Sequence, residues 1–407
     1  MESICYFRKD GVYMGASLKQ FQKMYFIFYF TIATFWAFAV PYLNSLEISN
    51  TKIGVIISLM IFAGVIGQFI TGYLCDIKNT IKKIFIVYMI LLCCSVALFF
   101  QSQNITYIII LISIIGFFQS SVMALGDSWV LESSSEIKEN FGSIRALGSA
   151  GWGIAAVFVG KVIDKTGWHS LYIIYIICTV VLFFTLLNMQ DAKGKSNGVN
   201  PLEPITSREI KELFFNKQYI QLLVIFFLLF SALQAVGMFS QIIINNYGGT
   251  KFQVGLYLFV AAFSEIPILF LAKLLRVRYK LSQLLIFSSF ALTFRMILVA
   301  FSSNISLIIA LGSFQIVTFS IIVFISKYLI DEISPAKLKT MSQMIAMAVY
   351  MGLSGIFSTT LSGWLADVIG IKNMLIFQGV LCFFAFLLSL RYHMYYYPKA
   401  KITHLQS

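Results

Sequence analysis

Charge is scarce in this sequence. Only 12% of its 407 residues are Asp, Glu, Lys or Arg, and 59% are hydrophobic. A water-soluble domain carries about 25% charged residues, so this balance cannot cover a soluble surface of such size. Histidine is scarcer still: His169, His393 and His404 are the full set, each at the end of an apolar run or in the C-terminal tail. The six cysteines, Cys5, Cys75, Cys93, Cys94, Cys178 and Cys382, include no two at zinc-ligand spacing with histidine. A membrane-embedded enzyme needs a nucleophile–base pair or metal ligands at depth. The sequence offers neither, so the cysteines read as small packing residues. Polar–apolar alternation in segments of ~10 residues, the mark of a membrane barrel, is missing. The first twenty residues lack the apolar core of a cleavable signal, so the first long apolar run is expected to direct insertion itself.

What the chain has in abundance is long apolar runs. Twelve blocks, at 24–46, 52–75, 84–101, 104–131, 143–163, 170–189, 219–245, 252–272, 281–301, 304–330, 340–362 and 371–393, approach or exceed the ~20 residues that cross a bilayer as a helix. The net charge of +13 suggests nucleic acid at first sight, but its distribution argues otherwise. With the N-terminus inside, the outer segments hold only Lys52, Lys161, Lys165, Lys251 and Lys372, whereas Lys78, Lys82, Lys83, Lys273, Arg276, Arg278, Lys280 and most other basic residues fall in cytoplasmic segments. This is the positive-inside bias. The basic residues set orientation and meet membrane lipid; no nucleic-acid partner is expected. The reading is an all-α membrane protein of twelve transmembrane helices with both termini cytoplasmic.

The longest connection contains K-G-K-S-N-G-V-N-P-L-E-P, a flexible composition. It divides the chain into an N-terminal six-helix bundle (1–189), a cytoplasmic linker (190–218) and a C-terminal six-helix bundle (219–407). A G-x-x-x-D signature recurs at Gly72–Asp76, Gly160–Asp164 and Gly363–Asp367, and Gly167 and Gly370 follow the second and third copies at the same offset. The first copy ends a span inside and the other two end spans outside, as inverted three-helix repeats would give. Gly72, Asp76, Asp164 and Asp367 are therefore candidates for conformational gating. A fourth copy after the eighth span is missing, replaced by Lys273-Leu-Leu-Arg-Val-Arg278.

Asp127, Arg145, Glu265 and Arg295 are ionisable residues inside apolar blocks. A charge at bilayer centre costs roughly 2.5–3.5 kcal/mol on insertion scales, so such groups face a watered cavity or a partner. Arg145 lies near the cytoplasmic start of its span and can also snorkel to the headgroups; Asp127 can equally be interfacial. Glu265 lies ~21 Å of helix beyond Lys251, just before Pro267. Arg295 has no charge within ten residues on either side. Trp152 follows Arg145 by seven residues, about 20° short of two turns, so both occupy one helix face ~10 Å apart. A guanidinium fork beside a flat indole suits a ligand with hydroxyls on its edge and a C–H face, such as a pyranose. Packing in a groove of small residues is the alternative for Trp152.

The run Asp127-Ser-Trp-Val-Leu-Glu132 followed by F-G-S-I-R-A-L-G-S-A-G-W resembles the oligosaccharide:proton symporter (lactose permease-like) family of the major facilitator superfamily. The acid–arginine–tryptophan spacing agrees without a gap, and G-Y-L-C-D-I-K-N-T-I-K-K resembles the family's loop 2–3 motif. The resemblance implies that Asp127, Arg145 and Trp152 bind substrate, and that Glu265 and Arg295 serve proton coupling and sugar affinity. It also places Gln315 and Thr318 where the family has a histidine and a glutamate, and Ile268 where it has a sugar-contacting asparagine. The family's buried Asp/Lys pairs have no charged counterparts here. With no histidine in mid-membrane, a coupled proton needs a carboxylate carrier, Glu265 first and Asp127 second. Glu265 and Arg295 differ in depth by about 12 Å from the span limits and helical rise, which argues against a direct pair.

The expectation is a secondary active transporter that imports a sugar or oligosaccharide by alternating access. A proton gradient supplies the energy, with no cofactor and no metal. The protein would be a monomer, multi-pass in a bacterial inner (plasma) membrane. A proton-coupled nucleoside or aromatic-acid permease of the same superfamily is the alternative. A non-transporting membrane sensor would need a signalling domain, and neither 1–23 nor 190–218 is long enough for one.

Overall fold

The computed structural model describes residues 18–192, 213–335 and 338–396; most of the 190–218 linker lies outside them. The N-terminal bundle consists of α1 (Leu18–Ser45), α2 (Asn50–Lys78), α3 (Lys82–Phe99), α4 (Ile105–Leu131), α5 (Phe141–Thr166) and α6 (His169–Leu187). The C-terminal bundle consists of α7 (Lys217–Asn246), α8 (Lys251–Arg278), α9 (Leu281–Ala300), α10 (Ile305–Ile333), α11 (339–369) and α12 (371–395). Among the described residues there is no strand. Among the described residues eleven helices are long and apolar enough to cross a membrane. The last of these is two spans, because Gly370, at φ 83°, breaks the run from Ser354 to Tyr395. The structure is thus the expected twelve-helix architecture.

Short loops force tight helix starts, and the sequence supplies the caps. Asn104, Asn216 and Asn304 accept hydrogen bonds from backbone N–H groups in the first turns of α4, α7 and α10, and Thr250 with Gln253 forms a capping box on α8. These satisfy donors that helix geometry leaves unpaired. Large apolar side chains such as Phe69, Phe184 and Phe290 point outward, where acyl chains are the solvent.

Each of the three G-x-x-x-D copies is followed, three residues on, by a residue of positive φ. Three residues after Asp164 and Asp367, Gly167 and Gly370 adopt φ 78° and 83°. Three residues after Asp76, Asn79 adopts φ 49°, ψ 42°, the left-handed helical region that asparagine tolerates, whereas the two glycines have extended ψ of −178° and 155°. The residue that ends α8, Tyr279, is extended instead, in agreement with the missing fourth copy.

The bundles meet along two seams, α5 against α8 and α2 against α11. A Cβ on Gly160 would lie 2.4 Å from the Lys251 carbonyl oxygen, and one on Gly363 would lie 2.3 Å from that of Asn50, so only glycine permits this approach. One turn further, each motif aspartate caps a helix of the opposite bundle. Asp164 accepts from the N–H groups of Lys251 and Phe252, both at 2.8 Å. Asp367 accepts from the N–H groups of Asn50 (3.1 Å) and Thr51 (2.8 Å), and from Asn50 Nδ2 (2.8 Å) and Thr51 Oγ1 (2.6 Å). A carboxylate there also meets the positive end of the helix dipole. Both seams lie at the outer ends of these helices and close that side of the space between the bundles. Gly72, at the cytoplasmic end of α2, has no heavy atom within 4 Å of a would-be Cβ, so nothing packs against it in this conformation. The side chain of Asp76 lies outside the described residues.

Candidate substrate cavity

Below the seams the bundles enclose a cavity of about 360 Å³. Helix α5 presents Arg145, Ser149 and Trp152 to it, at the i, i+4, i+7 spacing of one helix face. Helix α1 adds Tyr29 and Trp36, α7 adds Gln234 and Gln241, α8 adds Tyr257 and Glu265, and α10 adds Gln315. Most of the remaining lining is apolar, including Val40, Ile57, Leu233, Leu258 and Phe319. A largely apolar space with a few convergent polar groups is the usual form of a small-molecule site.

In the N-terminal wall the Arg145 guanidinium sits over the Tyr29 ring, 4.5 Å from its centroid, a cation–π contact that offsets part of its desolvation. Its Nη1 is 3.9 Å from Asp127 Oδ1 and makes no hydrogen bond. The nearer partner of Asp127 is Tyr25, whose hydroxyl donates to Oδ1 at 2.8 Å. At 3.9 Å and without a hydrogen bond, the Arg145–Asp127 contact is a weak one although Nη1 itself is buried. Asp127 does not line the cavity; it approaches Arg145 from α4.

The C-terminal wall is a connected network. Arg295 is 1% exposed. Its Nη1 donates to Gln315 Oε1 (2.9 Å) and Thr318 Oγ1 (3.3 Å), and its Nη2 donates to the Tyr257 hydroxyl (3.3 Å). Gln315 Nε2 donates to Glu265 Oε1 at 3.2 Å. Arginine has donors only, so the glutamine must turn its oxygen to Arg295 and its N–H₂ to Glu265. The acid and the arginine are therefore joined through a neutral amide instead of forming a direct pair; meeting on one side chain, their polar groups lie closer than the expected depth offset. Arg295 and Thr318 lie behind the wall and reach the cavity through Gln315 and Tyr257. Ile268 is buried and does not line it.

The backbone of α10 changes here. It tightens to a 3₁₀ turn over Gly312–Ile316, and Thr318 leaves helical geometry at φ −104°, ψ −90°. The Ser320 hydroxyl donates to the Gln315 carbonyl at 3.1 Å, satisfying an oxygen the break leaves free. Helix α11 carries a π segment at Ala348–Leu353. Irregular backbone at membrane depth is tolerated where it is buried in protein or lines a cavity, and π turns often mark functional positions. By contrast α8 continues through Pro267 to Arg278.

The structure thus brings Arg145, Trp152, Glu265 and Gln315 to one cavity, sets Arg295 and Thr318 one layer behind it, and leaves Asp127 outside its lining. Arg145 faces this space, so the snorkelling alternative does not describe its position. Tyr25, Tyr29, Trp36, Tyr257, Gln234 and Gln241 escaped the sequence analysis. Tyr25 and Tyr29 carried a usable signal: two phenols four residues apart in a phenylalanine-rich run, whose polar tips need partners once buried.

The MFS_1 like family model matches residues 18–390. An uncharacterized transporter, YwbF, of Bacillus subtilis (strain 168) is 23% identical over 351 residues, covering 84% of this chain and 85% of that protein. A maltose permease of Geobacillus stearothermophilus is 21% identical over 356 residues, covering 87% and 89%. Among solved structures, the nucleoside transporter NupG superposes with TM-score 0.76 at 15% identity, covering 93% of this chain and 98% of that one. A bacterial homologue of the human lysosomal transporter Spinster superposes with TM-score 0.69 at 10% identity, covering 92% and 96%. The chain belongs to the MFS_1 like family and, as a member of the major facilitator superfamily, is a secondary transporter rather than an enzyme.

Proposed function

We propose that the protein imports a small neutral hydroxylated solute, a sugar or oligosaccharide, together with a proton. The observation that carries this reading is Arg145 and Glu265, which come from opposite bundles and line one cavity with Trp36 and Trp152. The guanidinium donates to hydroxyls, the carboxylate accepts from them, and the indoles cover a C–H face. The maltose permease relative supports the sugar class. A second reading, a nucleoside permease, is favoured by the three side-chain amides of Gln234, Gln241 and Gln315, which can pair with a base edge.

Glu265 is the proton carrier in this account, since it is the carboxylate in the cavity wall. Asp164 and Asp367 hold the outer seams in this conformation. Releasing those four backbone N–H groups lets the bundles rock and the outer side open. Gly72 and Asp76 act at the opposite end in the outward-open state. The protein works as a monomer in a bacterial plasma membrane, with the proton gradient as its only energy source.

The test is to add a panel of sugars and nucleosides to de-energised cells in unbuffered medium and record external pH. Alkalinisation with one sugar class, lost in Arg145→Ala, is expected. Uptake of labelled sugar without a pH change would contradict proton coupling. A response to nucleosides alone would favour the second reading.

A further inference from the structure

A second concavity lies on the outside of the C-terminal bundle, where α7 begins and α12 ends. It has a volume of about 400 Å³, and its rim carries Lys217 and Arg391. These two helices run in opposite directions, so both cations stand at the cytoplasmic membrane level set by the charge bias. No carboxylate among the described residues forms an ion pair with either. Ile220, Val224 and Leu388 continue the groove away from the rim; Val224 is seven residues beyond Lys217, ~10 Å deeper along the helix. Phe215 lies beside the basic pair, 81% exposed. The floor is fixed, because Gln221 Nε2 donates to the Leu388 carbonyl at 2.9 Å and ties α7 to α12.

We propose that this groove binds one anionic phospholipid, its headgroup phosphate between Lys217 and Arg391 and its first acyl carbons along Ile220, Val224 and Leu388. Charge selects the occupant: basic pockets between membrane helices on the cytoplasmic side suit anionic headgroups. Residues 397–407 carry Lys399 and Lys401 and no acid, so like charge argues against the chain's own tail. The apolar extension selects a lipid over a free phosphate. The site is independent of the transported solute.

The test uses the purified, delipidated full chain in a zwitterionic detergent. Binding of dioleoylphosphatidylglycerol, dioleoylphosphatidylcholine and inorganic phosphate is read by native mass spectrometry and by the melting temperature. One retained phosphatidylglycerol is expected. Its affinity should fall on the order of thirtyfold in Lys217→Gln/Arg391→Gln, given the usual worth of two interfacial basic residues. Val224→Trp, which fills the apolar end and leaves both charges, should weaken the lipid as well. Lys78→Gln/Lys83→Gln, an equal loss of charge at the cytoplasmic ends of α2 and α3, should leave it unchanged. Equal retention of phosphatidylcholine would overturn the proposal. So would equal stabilisation by phosphate, or the same loss in the Lys78/Lys83 pair.

Discussion

Arg145 and Arg295 are both arginines in apolar spans, yet the fold uses them differently. Arg145 is one-third accessible, rests on a tyrosine ring and faces the cavity directly. Arg295 is sealed and spends both Nη atoms on Gln315, Thr318 and Tyr257. The first has donor capacity left for a ligand. The second has little, and instead fixes the side chains that a ligand meets. A charged residue in a membrane span is therefore a substrate contact or a support for one, according to which of its hydrogen bonds are already taken.

Substitutions at the two walls should separate these roles. The largest effect is expected at Glu265: Glu265→Gln should abolish uphill accumulation while equilibrium exchange of labelled solute continues. Unchanged accumulation would move the proton elsewhere. Arg295→Ala should come next, because it removes charged hydrogen bonds in a dry site. We expect a stability loss of about 3 kcal/mol, read as a lower melting temperature without any solute present. Arg145→Lys should leave the melting temperature nearly unchanged and weaken solute binding roughly thirtyfold, since a lysine lacks the fork. Equal stability losses at the two arginines would erase the distinction. Trp152→Phe keeps a ring and should cost about 1 kcal/mol of binding. Asp127→Asn should be smallest, because Tyr25 can still donate to the amide oxygen; a large loss there would mean that the 3.9 Å pair matters more than its geometry indicates.

The architecture was legible because lipid imposes simple rules. Span length, loop charge and the Gly–Asp repeat all follow from backbone satisfaction and orientation. The seam glycines could be read as small residues, but their partners, Lys251 and Asn50, are over eighty residues away in sequence. The cavity was legible on α5, where Arg145 and Trp152 share a face within one helix. It was less so in the C-terminal wall. The bridge through Gln315 depends on how three helices are placed, and the break in α10 has no proline to announce it. Tyr257 is one aromatic among many, and only the buried guanidinium beside it gives its hydroxyl a role.

Ser149 lies between Arg145 and Trp152 on the cavity face of α5, so a thiol there reports directly on whether this cavity is the transport site. The measurement is the alkylation rate of Ser149→Cys, with the six native cysteines replaced, in the absence and presence of saturating amounts of the solute the cells take up. The account predicts that the solute slows labelling at least ~10-fold, as an occupied site shields its wall. An unchanged rate while uptake is saturated would place the transported solute outside this cavity and contradict the account.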